Sequence, residues 1–257
     1  MPIITLTSDW GLKDHYLAVV KASIFSQIAD VNIVDISHLI PTYDIAQASY
    51  IVKNTFSYFP KGSIHIIGIN TIASIEMPHI GIYAEGHYFI GADNGLFSLI
   101  FDKTPETIVE LDIIQDSDYF TFSTKDVFVK AACYIAKGGK LEDLGTRKDS
   151  LHTKTHLLSM NDENSITGNV VYIDGYENIF TNISEADFIK LQKGRAFRIE
   201  VRKNIISKLS KSYHDVPEGE LLALFASNGM LQIALNTSKA KSLLGLTYAD
   251  VITVTFL

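Results

Sequence analysis

Residues 3 to 70 alternate short apolar runs with amphipathic ones, and this order constrains the fold more than any other feature of the chain. "PIITLTSD" has the length and β-branched content of a buried strand. "DHYLAVVKASIFSQI" repeats apolar residues at Leu17, Val20, Ile24 and Ile28, the spacing of one helical face. "VNIVDIS" reads as a second buried strand. "DIAQASYIVKNTFSYF" reads as a second helix, with Ala46, Tyr50, Ile51 and Phe56 near helical spacing and Pro60 as its stop. "GSIHIIGIN" is a third strand. A β-α-β-α-β order of this kind folds as a parallel sheet covered by helices. "GIYAEGHYFIGADNGLFSLIF" adds two strands joined by "AEGH" and then a turn at "ADNG". "TKDVFVKAACYIAKGGKLEDLG" adds a helix ended by Gly138 and Gly139.

The pattern then changes. Residues 146 to 165 are polar and aperiodic, as expected of a link between domains. Beyond them "TGNVVYID", "IFTNI", "RAFRIEVRK", "LLALFAS", "MLQIALN" and "VITVTFL" are short strand-like runs separated by turns. They predict a small antiparallel barrel or sandwich. The expected class is therefore α/β: an N-terminal α/β domain over residues 1–150 with a mainly parallel sheet, a linker over 151–165, and a C-terminal antiparallel β domain over 166–257.

Composition narrows the function. The formal net charge is −7 and no basic run is long enough to make a nucleic-acid face, so no nucleic-acid partner is expected. Cys133 is the single cysteine, which excludes an internal disulfide and a multi-cysteine metal site. It reads as a small buried apolar residue. "MPIITLTSDW" lacks the basic start and long apolar core of a signal peptide. No apolar run is long enough for a membrane span, so a soluble cytoplasmic protein is expected. The histidines give no zinc pattern: His152 and His156 have the spacing but lie in the polar link. No metal site, GxSxG or phosphate-binding loop is expected.

Chemistry is expected outside the carboxyl ends of the parallel strands. Four segments fall there: 8 to 14, 37 to 45, 69 to 79 and 92 to 95. Asp9 ends the first strand. An ionised Asp offers two acceptor oxygens and no donor, which suits a pair of ribose hydroxyls; it equally suits a helix N-cap. Asp14 stands where helical periodicity begins and reads as the cap, though its carboxylate could also face a ligand ammonium. Asp44 caps the second helix. Tyr43 either packs before that helix or walls a ligand. In "IDGYENIFTNI", Asp174, Asn178 and Asn182 interrupt strand formers. They read as a turn, or as amides able to pair with a purine edge. Asn228-Gly229 is a tight turn.

Taken together, "TLTSDWGLKDHY", "VDISHLIPTYDIAQASYIV", "YFPKGSIHI", "YFIGADNGLFSL", "TFSTKDVFVKAACYIAKG", "LEDLG", "DGYENIFTNI" and "SNGMLQIALN" resemble, in order and spacing, the S-adenosylmethionine hydroxide adenosyltransferase family, which includes fluorinases and chlorinases. The resemblance spans nearly the whole chain. It implies an α/β domain joined to a β domain. It also implies homotrimers that hold S-adenosylmethionine as substrate between the N-terminal domain of one subunit and the C-terminal domain of the next, with no cofactor. By position it gives Asp9 the ribose hydroxyls and puts Asp14 near the methionine end. Tyr43 falls in the aromatic wall, Tyr176 and Asn178 at the adenine. Asp174 and Ser227 fall at the amino and carboxylate ends of methionine, and Thr124 near the nucleophile.

The implied reaction is displacement at C5′ by hydroxide or halide. It needs no general acid, because the sulfonium departs as a neutral thioether. It needs alignment, a dry site and a competent nucleophile. Hydrolytic members carry an Asp in "DPGVG", an Arg seven residues on, and a His in "TFHGRD". This chain has Asn70, Met77 and Ser123 there, and it lacks the fluorinase Tyr at Asn70. The positions expected in the catalytic region are thus Asn70, Ser123 and Thr124. Three readings stay open: a hydrolase in which His79, Glu76 or Asp126 activates water, a transferase using another nucleophile such as halide, and a binding protein without turnover.

Overall fold

The computed structural model describes residues 1–115 and 120–257, which form two compact units, Met1–Thr155 and His156–Leu257. The first unit begins with β1 (Ile3–Ser8), α1 (Tyr16–Phe25), β2 (Asn32–Ser37), α2 (Ile45–Lys53) and β3 (Ile64–Gly68). It continues with β4 (His79–Ala84), β5 (His87–Ala92), α3 (Leu96–Ile100) and β6 (Thr107–Leu111). A π-helical turn at Thr124–Phe128 runs into α4 (Val129–Ala136), and β7 (Gly145–Arg147) closes the unit. The sheet order is β2-β1-β3-β5-β4-β6-β7. β1 pairs parallel with β2 and β3, and β3 pairs parallel with β5. The β4–β5, β4–β6 and β6–β7 pairs are antiparallel.

Strand alternation divides the apolar side chains between two faces. Ile4, Leu6, Ile64, Ile66 and Ile90 pack against Val20 and Ile24 of α1 and the buried residues of α4. Ile67, Ile80, Ile82 and Phe89 pack against Ala48 and Val52 of α2 and Leu96, Phe97 and Ile100 of α3. Leu17 and Ile28 flank the buried stripe of α1 as its spacing predicts. Two local readings are corrected. β2 is not buried: it lies at the sheet edge, half-buried to exposed along its length. The α2 stripe runs through Ala48, Ser49 and Val52, whereas Ala46, Tyr50 and Ile51 are only half-buried.

The second unit contains β8 (Met160–Asn161), β9 (Ser165–Ile173), β10 (Ile179–Ser184), α5 (Glu185–Gln192), β11 (Phe197–Val201) and β12 (Asn204–Ile206). β13 (Leu221–Phe225), β14 (Met230–Leu235), α6 (Ala240–Leu244) and β15 (Val251–Phe256) complete it. The order β12-β11-β15-β9-β10-β14-β13, with β8 beside β9, is antiparallel throughout. A single bridge from Leu209 to Ala223 brings the two edges together, so the sheet is a nearly closed barrel. Its strands alternate inward and outward, as in the buried Phe197, Ile199 and Val201 of β11. Phe188 of α5 plugs the core, edge-on to Phe197, Phe225 and Phe256. Full burial of such a side chain contributes about 1.5–3 kcal/mol.

Candidate functional site

The loops that follow β1, β2, β3 and β5 leave the same edge of the first sheet, because these four strands are parallel. They coincide with the four segments expected to carry ligand chemistry. Asp9 opens the β1–α1 loop and is half-buried. It caps no helix: its Oδ2 accepts from the backbone N–H of Tyr43 at 2.8 Å. Gly11, at φ 70°, donates its N–H to the His38 carbonyl at 2.7 Å. These bonds draw the β2–α2 loop onto the β1–α1 loop. Tyr43 sits at φ 65° with its ring 64% exposed. A left-handed backbone is uncommon for such a residue, and here two loop contacts fix it.

Asp14 does not cap α1. His15 occupies that position without a side-chain cap, and Asp14 is exposed. The helix starts one residue later than a cap at Asp14 requires, which removes the geometric reason for Asp14 to cap. Asp44 does cap α2, accepting from Gln47 N at 2.9 Å.

The β3–β4 loop is held from below by Asn94 in the "ADNG" turn. Its amide nitrogen donates to the Ile69 and Asn70 carbonyls at 3.0 and 3.2 Å. Asn70 is in the left-handed region at φ 47°, two residues beyond Gly68. Ser74 and Met77 exchange backbone hydrogen bonds in a tight turn, leaving Glu76 exposed.

Gly68 ends β3 at a close approach. A Cβ there would lie 2.5 Å from Trp10 Cζ2 and 3.1 Å from Thr124 Oγ1. The tryptophan ring and the threonine hydroxyl thus flank the end of β3. Thr124 is the first residue of the π turn, fully buried, and among the described residues its Oγ1 has no hydrogen-bond partner. A buried hydroxyl without a partner carries a desolvation cost, and π turns recur at functional sites. Ser123 beside it is 5% exposed, and Asp126 is salt-bridged to Lys125 at 2.7 Å.

In the second unit Asp174, Tyr176 and Asn178 form one turn. Asp174 Oδ1 accepts from Tyr176 N and Asn178 N at 2.9 and 2.8 Å, and Oδ2 accepts from Asn178 Nδ2 at 3.0 Å. The structural role weighed for this segment is therefore present. Asn178 is buried, while Tyr176 is 81% exposed. Ser227 is not brought to this turn. It is exposed in the β13–β14 hairpin, whose Gly229 carbonyl accepts from Glu185 N just beyond β10. The 174–178 turn precedes the opposite end of β10.

Residues 4–145 match the family model described as the SAM hydroxide adenosyltransferase N-terminal domain, and residues 168–253 match its C-terminal domain. The chain belongs to the SAM hydroxide adenosyltransferase family. It is 30% identical to the (R)-S-adenosyl-L-methionine hydrolase of Methanocaldococcus jannaschii, over 100% of this chain and 97% of the relative. It is 24% identical to a fluorinase of Nocardia brasiliensis, over 92% and 91% of the two chains. The crystal structure of an uncharacterized conserved protein from Thermotoga maritima superposes with a TM-score of 0.89 at 27% identity, over 98% of this chain and 99% of that one.

Within this family member, the three residues considered as substitute water activators differ sharply. His79 opens β4 at the ligand edge. Its Nε2 is 2.8 Å from the Thr71 carbonyl, so Nε2 carries the proton. Burial lowers its pKa and the bond to Thr71 offsets this only in part, so the ring is neutral at pH 7. Its face meets Phe128 edge-on at 5.0 Å. Glu76 is exposed and Asp126 is already paired. Among the described residues no three His, Cys, Asp or Glu side chains converge as a metal set, and no helix is long and apolar enough to cross a membrane.

Sequence reasoning missed Trp10, His38, Gly68 and Asn94. "ADNG" was a visible signal for Asn94. The others act through contacts between distant segments, which no local pattern reveals.

Proposed function

We propose that this family member cleaves S-adenosylmethionine by displacement at C5′, with water-derived hydroxide as nucleophile, adenosine and L-methionine as products, and no cofactor. The observation that carries the reading is the full-length match to the (R)-S-adenosyl-L-methionine hydrolase of M. jannaschii. The site supports it. Asp9 spends one carboxylate oxygen on Tyr43 N, and the other is available to ribose hydroxyls. Tyr43 presents an exposed ring as a wall. Thr124 has a buried hydroxyl to give to the nucleophile, beside Ser123 in the chain and close in space to Gly68 at the end of β3. His79 is the substitute base, since its protonated Nε2 leaves Nδ1 with the lone pair. Asp14 serves the methionine end, Tyr176 and Asn178 the adenine, and Asp174 and Ser227 the methionine amino and carboxylate groups.

The chemistry follows from these parts. The sulfonium leaves as a neutral thioether, so no acid is required. Water is a poor nucleophile, and a neutral imidazole that removes its proton lowers the barrier. Exclusion of bulk water and alignment opposite sulfur supply the remainder. The assembly is a cytoplasmic homotrimer. Exposed apolar side chains on the ligand-edge loops, Leu12, Leu39, Ile72 and Ile75, support burial against other subunits.

A second reading is a binding protein without turnover. It is favoured by Asn70, Met77 and Ser123, which bring neither charge nor basicity where hydrolytic members carry Asp, Arg and His. Incubation of the purified protein with S-adenosylmethionine, followed by chromatography, separates the two. Adenosine and methionine in equal amounts support the hydrolase. Calorimetric binding with no product after long incubation supports the binder, and a 5′-halo product in added halide shifts the nucleophile.

A further inference from the structure

Ser8, His38 and Asp35 come from two adjacent strands and the loop after the second, and they form a polar chain that runs from the buried Ser8 and His38 to Asp35 at the surface. Ser8 Oγ is 2.6 Å from His38 Nδ1. Asp35 Oδ1 lies 3.2 Å from His38 Nε2, close enough to attract an N–H there but too poorly aligned to satisfy Nε2 as a hydrogen bond. Asp35 Oδ2 accepts from Lys21 Nζ of α1 at 2.6 Å. Burial acts to raise the Asp35 pKa, but Lys21 and His38 outweigh it and hold the carboxyl below its usual range. An ionised Asp35 can only accept, so the proton of His38 sits on Nε2 and Ser8 donates to Nδ1. The order of groups suggests a nucleophilic serine, but the geometry excludes that. Ser8 is 1% exposed and the His38 ring lies nearly parallel to Trp10, 6.5 Å away and 14° off plane.

What the chain of bonds does control is the residues that follow Ser8. His38 is fastened through its ring to the end of β1, by Ser8, and through its carbonyl to the β1–α1 loop, by Gly11 N at 2.7 Å. Asp9 lies between those two points and in turn holds Tyr43 N. Trp10 lies there too, with its ring against the end of β3. We propose that His38, held by Ser8 and Asp35, is a positioning residue that sets the orientation of the Asp9 carboxylate and the Trp10 ring. Its effect on nucleoside affinity rests on the function proposed above; its effect on Trp10 does not.

Trp10 is the single tryptophan of the chain, so its fluorescence reports this site alone. The experiment compares wild type, Ser8→Ala, Asp9→Ala and the double variant by Trp10 emission, acrylamide quenching and calorimetry with adenosine. Loss of the Ser8 bond leaves Nδ1 without a partner, which predicts about a tenfold weaker adenosine affinity when Asp9 is present. In the Asp9→Ala background Ser8→Ala has no further effect, because the group it positions is gone. Ser8→Ala also shifts Trp10 emission to the red and raises quenching. His38→Gln, which cannot place an acceptor at the Nδ1 position, gives the same optical change and replaces Ser8→Ala if that variant does not fold. A full tenfold loss in both backgrounds, or an unchanged Trp10 spectrum, overturns the proposal. If wild type binds no adenosine, the function reading falls, and the Trp10 spectrum alone still decides the positioning role.

Discussion

Acidification destabilises the first unit through a histidine that has no part in the ligand site. His65 of β3 is 1% exposed. Its Nδ1 is 2.7 Å from Thr5 Oγ1 and its Nε2 is 3.3 Å from His87 Nδ1. Its ring stacks on Phe89 at 4.8 Å and meets Phe56 and Phe59 edge-on. Burial, with a smaller contribution from His87, lowers its pKa from 6.5 to about 3. The unfolded chain takes a proton near pH 6.5, and the folded chain does not until about pH 3. Stability is therefore complete above pH 6.5 and falls as pH drops between those values. One pH unit inside that window costs about 1.4 kcal/mol, so lowering the pH to 5 removes about 2 kcal/mol through His65 alone. Burial lowers the pKa of His87 and His79 as well, which adds to the loss. Urea unfolding followed by Trp10 fluorescence reads the first unit separately from the second. The comparison is wild type with His65→Gln, at pH 7 and pH 5 and equal protein concentration. His65→Gln is less stable at pH 7, because Thr5 and His87 lose their partner. Its loss between pH 7 and 5 is smaller than that of wild type by about 2 kcal/mol. An equal loss in both proteins refutes the argument.

Three further outcomes follow from the site and the core. Thr124→Val removes a buried hydroxyl that has no partner; the thermal midpoint stays level or rises, while turnover of S-adenosylmethionine falls by about tenfold or more if that hydroxyl meets the nucleophile. Gly68→Ala puts a methyl 2.5 Å from Trp10; it displaces the ring, costs about 1–3 kcal/mol in urea unfolding and shifts Trp10 emission. Cys133 is buried with its thiol pushed up to about 11; it stays unreactive to a thiol reagent at pH 8 until urea is added, and rapid labelling of the native protein contradicts this placement.

The alternation of strands and helices was legible because burial leaves periodic traces. The stripe through Val20 and Ile24 and the apolar run of β3 are local patterns, and the structure contains both. β2 misled because "VNIVDIS" is apolar enough for an interior strand; its edge position depends on which strands flank β1, and the run itself does not encode that. The same limit applies to the site. Asp9 and Thr124 were found as residues at strand ends or motif positions. The bond of Asp9 to Tyr43 N spans 34 residues and that of Ser8 to His38 spans 30. Neither leaves periodicity or a spacing rule to read. The turn at Asp174 was legible, since an Asp four residues before an Asn among strand formers is a local arrangement.

The central claim is that water attacks C5′ of S-adenosylmethionine in this protein. A single incubation in water enriched in oxygen-18, with mass spectrometry of the nucleoside, tests it directly. The account predicts adenosine with one heavy oxygen at the 5′ position, formed in step with methionine and reduced in His79→Gln. Adenosine without label, or bound S-adenosylmethionine recovered intact, contradicts it.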